Sequence, residues 1–262
     1  MHYNTIQFDI DPRGVATLVL NRPDTSNAFN AEMIREMTDA IARCATDTAV
    51  RALILRSNGR HFSAGADIHW MRSMAGMSFA ENRADAVQLS QLMRSLHEFP
   101  APTIARITGA SYGGALGLIT CCDMAFASDD ATFCLSEVRL GLVPAVISPY
   151  VIRAIGERAA RRYFLTGEII DIVQAERLGL IYRAGGPDAL DGIIQGICDS
   201  VLKNGPIATQ EAKRLLQQVA GRPLNDELRD QTIDLIARLR VSREGQEGLN
   251  SFLEKRKPDW SK

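Results

Sequence analysis

Residues 106–144 read RITGASYGGALGLITCCDMAFASDDATFCLSEVRLGLVP. The stretch continues a short β-like run, Thr103-Ile104-Ala105-Arg106-Ile107, breaks at Gly109, and passes through Gly113 and Gly114 into an apolar segment, Ala115 to Cys122, that predicts a buried helix. A strand–glycine–helix junction points unpaired backbone N–H groups, at the positive end of a helix, toward anything negative placed before it. The same glycines also serve wherever a strand and a helix pack closely, so the junction alone leaves both readings open. The stretch ends on a lone carboxylate. Glu137 follows the apolar run Ala131-Thr132-Phe133-Cys134-Leu135 and precedes Val138 and Leu140-Gly141-Leu142-Val143-Pro144. An acid in such company is either a solvated loop residue or a functional group whose pKa is raised by desolvation.

Working outward, composition bounds the rest. A chain of 262 residues buries roughly three quarters of its unfolded surface, enough for one large domain or a domain with an appendage. With 46% hydrophobic residues and a net charge of -1 it has the balance of an ordinary globule. That balance offers no electrostatic case for binding nucleic acid or an acidic membrane surface. Cys44, Cys121, Cys122, Cys134 and Cys198 form an odd, irregular set without zinc or disulfide spacing, which predicts buried thiols in a reducing compartment. His2, His61, His69 and His97 are scattered, so no metal site is expected. No secretory leader or membrane-spanning run is visible, and the expected location is the cytoplasm, or the mitochondrial matrix for a processed eukaryotic chain.

In chain order, strands and helices alternate. Ile6, Phe8 and Ile10 alternate with polar residues, Asp11-Pro12-Arg13-Gly14 turns the chain, and Val15 to Leu20 complete a hairpin. Phe29, Met33, Ile34, Met37, Ile41 and Cys44 make a helical stripe, with Asn30 as its cap. Val50 to Leu55 read as a strand, and His61 to Ile68 lead through small residues into a helix. This is a second place where backbone N–H groups face a ligand. Phe79 to His97 form a long helix stopped by Pro100 and Pro102. Beyond Pro149 the pattern is helical, broken by a short strand at Leu180–Tyr182. Asn204-Gly205-Pro206 is the linker candidate, dividing a core at 1–204 from a helical region at 205–262, which splits again near Gly221-Arg222-Pro223 and Val241-Ser242 and stops at Lys257-Pro258. These repeating strand–helix units indicate an α/β fold with a helical appendage.

Five blocks carry a resemblance over nearly the whole chain. They are Asn21-Arg22-Pro23 with Asn27-Ala28-Phe29-Asn30, Phe62 to Asp67, Gly109 to Asp123, Phe133 to Pro144, and Phe252 to Pro258. In this order and spacing they resemble the crotonase (enoyl-CoA hydratase/isomerase) superfamily. Cys121-Cys122-Asp123, Ala131 to Leu142, Arg158 to Tyr163 and Arg240 to Arg256 look most like its 3-methylglutaconyl-CoA hydratases of leucine breakdown. The resemblance implies a crotonase-type spiral of ββα units and a helical C-terminal trimerisation region, in a homotrimer or homohexamer. It implies no separate cofactor, CoA being part of the acyl-CoA substrate.

By the same resemblance, the N–H groups of Ala66 and Gly114 form an oxyanion hole for the thioester carbonyl, and Glu137 moves the proton at the α-carbon. Ala64, Asp67 and Ile68 match a loop that meets CoA, although Asp67 equally fits a helix cap. Phe252 and Lys255 match a tail that reaches a neighbouring subunit's CoA. One position departs from the pattern: hydratases usually carry a second glutamate where this chain has Gly117. The loop Val143 to Pro149 also lacks the usual proline–glycine-rich turn. One carboxylate suffices in relatives for shifting a double bond, so Δ3,Δ2-enoyl-CoA isomerisation stands beside hydration. A thioester hydrolase and a non-catalytic CoA-binding scaffold are the further alternatives. The distal carboxylate of a glutaconyl group calls for a cation, for which Arg139, Arg106, Arg72 and His69 are candidates.

Overall fold

The computed structural model describes residues 2–261. The hairpin forms as its alternation requires. β1 (Ile6–Ile10) and β2 (Val15–Leu20) pair antiparallel, with Ile6 opposite Leu20 and Ile10 opposite Ala16. The Asp11 carboxylate closes the turn by accepting from the N–H groups of Arg13 and Val15. α1 (Ala31–Thr46) starts at Asn30, whose side chain accepts from Met33 N–H, and it buries Met33, Ile34, Met37, Ile41 and Cys44. Phe29, which the periodicity places in this helix, instead stays extended and makes an isolated parallel bridge to Ala66.

β3 (Ala52–Ser57) leads to the short α2 (Ile68–Met74) and then to α3 (Phe79–His97), which a reciprocal Ser78–Glu81 capping box starts. β4 (Thr103–Ile107), β5 (Ala110–Tyr112) and α4 (Gly114–Cys121) follow, then β6 (Met124–Ser128), β7 (Thr132–Cys134) and a 3-10 turn at Glu137–Leu140. Next come α5 (Ser148–Thr166), β8 (Ile169–Ile170), α6 (Ile172–Leu178), β9 (Arg183–Gly185) and α7 (Pro187–Leu202). β9 corrects the strand expected at Leu180–Tyr182. Leu180 and Ile181 are buried, but they approach β6 only as a loop, and pairing begins where Arg183 meets Phe126.

The six-stranded sheet runs β1-β2-β3-β4-β6-β9 and is parallel from β2 onward; a second sheet runs β5-β7-β8. Ser63 joins the small sheet through a parallel bridge to Ser111. Each circuit of the chain therefore lays one segment in the large sheet, one beside the small sheet, and then a helix. The circuits are β3, the Ser63 segment and α2–α3; then β4, β5 and α4; then β6, β7 and α5. This is the spiral of ββα units expected above. Strands covered on both faces need continuous apolar runs rather than alternation, and β4 is buried at every residue. The core joins this sheet to α1, α3, α4 and α5 through Leu18, Met37, Leu53, Met93, Leu116 and Val151.

The tail forms α8 (Pro206–Val219), α9 (Asp226–Val241) and α10 (Arg243–Leu253), so the last helix stops before Lys257. α8 is tied to the core across residues 204–205. Lys213, 7% exposed, donates from Nζ to Asp123 Oδ2 at 2.7 Å and to Ala101 O at 3.2 Å. Removing one partner of a buried pair leaves the other charge uncompensated. Lys213→Ala is expected to cost about 2–4 kcal/mol, discounted for the partial solvation of Asp123, and to lower Tm by roughly 5–15 °C in thermal unfolding. Among the described residues the five cysteines are free thiols, no helix is long and apolar enough to cross a membrane, and no cluster of three metal-ligating side chains occurs.

Candidate active site

Two backbone donors come first. In the Phe29–Ala66 bridge, Phe29 N–H donates to Gly65 O and Asp67 N–H donates to Phe29 O. A parallel ladder that uses the groups on either side of Ala66 turns Ala66's own N–H away from Phe29. That N–H has no hydrogen-bond partner among the described residues. The loop carrying it is held by Asp67, whose Oδ1 accepts from the N–H groups of His69 and Trp70 while Oδ2 meets Arg22 Nη2 at 2.9 Å. Burial works against the Asp67 carboxylate, but Arg22 and these two N–H groups outweigh it and hold its pKa below the usual range. Asp67 is thus the cap of α2 and the anchor of the Ala66 loop.

The second donor is at the start of α4. Gly113 adopts φ 54°, ψ -124°, and its N–H donates to Cys134 O at 2.9 Å. Such a backbone is open to glycine at little cost and to other residues only under strain. Gly114 follows as the first residue of the helix, and its N–H likewise finds no acceptor among the described residues. A Cβ on Gly114 would lie 3.1 Å from the Phe29 ring, so the helix start sits hard against Phe29 and thereby beside Ala66.

Glu137 approaches this pair from the 3-10 turn. A Cβ on Gly113 would stand 3.2 Å from Glu137 Oε1, which makes the first glycine of the pair the floor under the carboxylate. Glu137 Oε2 is buried and has no hydrogen-bond partner. Burial raises the Glu137 pKa above its ordinary 4.5, opposed only by a bond to its own backbone N–H. A buried carboxyl oxygen without a partner is costly for structure alone, and such groups concentrate where chemistry needs them. Ala66, Gly114 and Glu137 all line one cavity of about 330 Å³, closed by Trp70 and Met74 of α2, Leu89 of α3 and the Val143–Ile147 loop. Two free N–H donors and a carboxyl whose pKa is raised by burial therefore converge on one largely apolar space.

Other expected residues fall elsewhere. Ala64, Asp67 and Ile68 share the Ala66 loop without lining the cavity, and exposed Ile68 lies on its outer side. Phe252, 81% exposed, and Lys255 lie at the end of α10, outside the cavity lining of their own chain. None of the four candidate cations lines the cavity. Arg106 pairs with Asp191, Arg139 donates to Gly167 O at 2.6 Å, and Arg72 and His69 are exposed. The departure at Gly117 has a steric cause. A Cβ there would come within 2.3 Å of Ile147 Cγ2 and 2.9 Å of Met93 Sδ, so Ile147 occupies the space a second carboxylate would need. Arg22, Trp70, Asn82 and Asp85 escaped the sequence reading. Arg22 stands in a quoted block without an assigned role, and the others lie on helices where nothing in the local pattern sets them apart.

The profile of the Enoyl-CoA hydratase/isomerase family matches residues 11–262. An enoyl-CoA hydratase from Shewanella pealeana superimposes with a TM-score of 0.95 at 47% identity, covering 98% of this chain and 96% of that one. The 2,3-dehydroadipyl-CoA hydratase of Escherichia coli is 31% identical over 94% of both chains. The crotonyl-CoA hydratase of Syntrophomonas wolfei is 29% identical over 99% of both. With a ββα spiral and a cavity that pairs free N–H donors with a buried carboxyl, this chain belongs to the enoyl-CoA hydratase/isomerase family.

Proposed function

We propose that the protein is a hydratase adding water across the double bond of an α,β-unsaturated acyl-CoA. The observation that carries this reading is the convergence of Glu137 with the unpartnered N–H groups of Ala66 and Gly114 on one cavity. Water addition at C3 pushes charge onto the thioester oxygen, and two fixed donors in a dry site stabilise that enolate. Losing one such donor costs about 10²–10³ in rate. Glu137, whose hold on its proton is strengthened by burial, supplies the proton that C2 must gain, and a carboxyl tuned toward the working pH suits that task.

The resemblance points to 3-methylglutaconyl-CoA as substrate. A second reading, an uncharged acyl chain, is favoured by the cavity itself, whose charged lining side chains are Asp85 and Glu137. A diacid then needs a cation from beyond this lining. Absorbance at the enoyl-thioester band is expected to fall with at least one of 3-methylglutaconyl-CoA and crotonyl-CoA. A kcat/KM more than about tenfold higher for the diacid selects the first reading, since a distal group that meets its partner is discriminated at that scale or above. A ratio reversed in favour of crotonyl-CoA selects the second. A gain of absorbance with a 3-enoyl-CoA, and no loss with either 2-enoyl thioester, overturns hydration in favour of isomerisation. Release of free thiol identifies a hydrolase.

A further inference from the structure

We propose that Asp85 is the second carboxylate of this site, taking a proton from the water that adds to C3 while Glu137 delivers one to C2. The inference rests on the hydratase reading above. It starts from Gly117, where Ile147 and Met93 leave no room for an acid on α4, so a polar group that holds the water must come from another element.

The cavity lining narrows the choice. Among the described residues its side chains with oxygen or nitrogen atoms are Trp70, Asn82, Asp85 and Glu137. The Asn82 amide is committed to the end of α2 and the start of α3, donating to Met77 O at 3.0 Å and Ser78 O at 3.1 Å. The Trp70 indole has one N–H and no acceptor, and its influence favours the ionised form of Asp85. The Asn82 amide oxygen can accept a hydrogen bond from a water but is too weak a base to take its proton, so only the two carboxyl groups can act as acid or base on it. Asn82, Asp85, Ala86 and Leu89 follow one another at helical spacing, so a single face of α3 looks into the cavity. Met93, one turn beyond Leu89, continues that face to the packing under Gly117. Helix α3 thus runs along the same wall whose lower part α4 has given up to Ile147. A volume of about 330 Å³ accommodates a short acyl chain together with a water, whose share of liquid volume is about 30 Å³.

Burial raises the Asp85 pKa, with the Trp70 indole opposing it, and this makes the carboxylate a stronger base than a solvated one. The step balances without a further reactant. The water oxygen bonds to C3, one O–H proton passes to Asp85, and the π electrons move onto the thioester oxygen, held by the Ala66 and Gly114 N–H groups. Glu137 then protonates C2 as the carbonyl reforms. The proton left on Asp85 returns to Glu137 through solvent at the cavity mouth, restoring both groups.

Water addition and α-proton exchange separate the two carboxylates. Exchange of the C2 protons of butyryl-CoA in deuterium oxide, read by mass spectrometry, needs Glu137 and the N–H donors but no attacking water. Hydration is followed with whichever of crotonyl-CoA and 3-methylglutaconyl-CoA the wild type turns over faster. Asp85→Asn is expected to lower hydration kcat about 100-fold, as for loss of a positioned acid–base group, while exchange falls by less than about fivefold. Trp70→Phe, which removes the indole N–H that favours the Asp85 carboxylate, is expected to lower hydration about tenfold with the same sparing of exchange. Hydration by Asp85→Asn within threefold of wild type overturns the proposal. So does an equal loss of both reactions, which marks a structural role. Glu137→Gln, losing both reactions while Asp85→Asn stays active, overturns the Asp85 assignment and leaves the hydratase reading intact. A wild type that exchanges but never hydrates overturns both.

Discussion

Glu137→Gln is expected to lower hydration by at least about 10³-fold, within the range for a positioned acid–base group, and to leave a protein more stable than wild type at neutral pH. The catalytic half follows from position. Glu137 Oε1 lies over Gly113, next to the Gly114 donor, and Oε2 is buried without a partner, so this carboxyl is the one placed for the proton at C2. The stability half follows from linkage. Burial raises the folded-state pKa of Glu137 above its ordinary 4.5. Below that value the group is protonated in both folded and unfolded chains, and its environment costs nothing. As pH rises from there through the raised pKa, the unfolded chain releases the proton more readily than the fold does, and stability is lost. A glutamine keeps the shape and never ionises. Thermal unfolding across the pH range should therefore show the two proteins alike near the acid end, with the mutant ahead as pH rises to neutrality. A mutant less stable than wild type at pH 7 would mean that the carboxylate is held by interactions the fold relies on, and the acid–base role would lose its basis. A mutant that still hydrates at a tenth of the wild-type rate would remove Glu137 from the mechanism outright.

Much of this was legible because it is written locally. Alternation over residues 6–20, the apolar stripe of α1 with its Asn30 cap and the proline stop after α3 are near-neighbour patterns, and the chain obeys them. The glycine pair before α4 was legible as a place where backbone is offered or where strand and helix pack closely, and the Gly114 N–H without an acceptor among the described residues decides for the first. What escaped depends on contacts distant in sequence. Phe29 has the right period for α1, yet it is drawn into a bridge with Ala66, 37 positions on. The strand placed at Leu180–Tyr182 follows the hydrophobic residues, whereas pairing with β6 starts one residue past them. Asp67 reads as a cap or as a ligand contact until Arg22, 45 positions earlier, pairs with it. Asp85 left no trace, because an acid on a half-exposed helix is the commonest solvated residue there is. Only the cavity shows which way it faces.

The vacancy at Gly117 carries the other large effect. Gly117→Glu is expected to lose about 5 kcal/mol or more, a fall in Tm of roughly 10–20 °C or failure to fold, and to gain no hydration. Its Cβ alone would stand 2.3 Å from Ile147 Cγ2, 3.0 Å from Ile147 Cβ and 2.9 Å from Met93 Sδ. Ile147 is 2% exposed and Met93 fully buried, so neither side chain can swing into solvent to make way. Overpacking of this kind forces backbone shifts, and a carboxylate pressed among Ile147, Met93 and Leu116 adds the cost of an unpaired buried charge. The test includes its own rescue. Ile147→Ala alone opens a cavity and should cost about 2–4 kcal/mol. Combined with Gly117→Glu it should be more stable than the glutamate variant alone, because each change removes the other's damage, a coupling of the kind seen only for residues in contact. The double variant also places a carboxylate at the cavity wall, close to where water would be held. If hydration there becomes independent of Asp85, position 117 and Asp85 are two routes to one function. If Gly117→Glu by itself folds with wild-type Tm, Ile147 does not close that position, and the steric reason given for the missing acid is wrong.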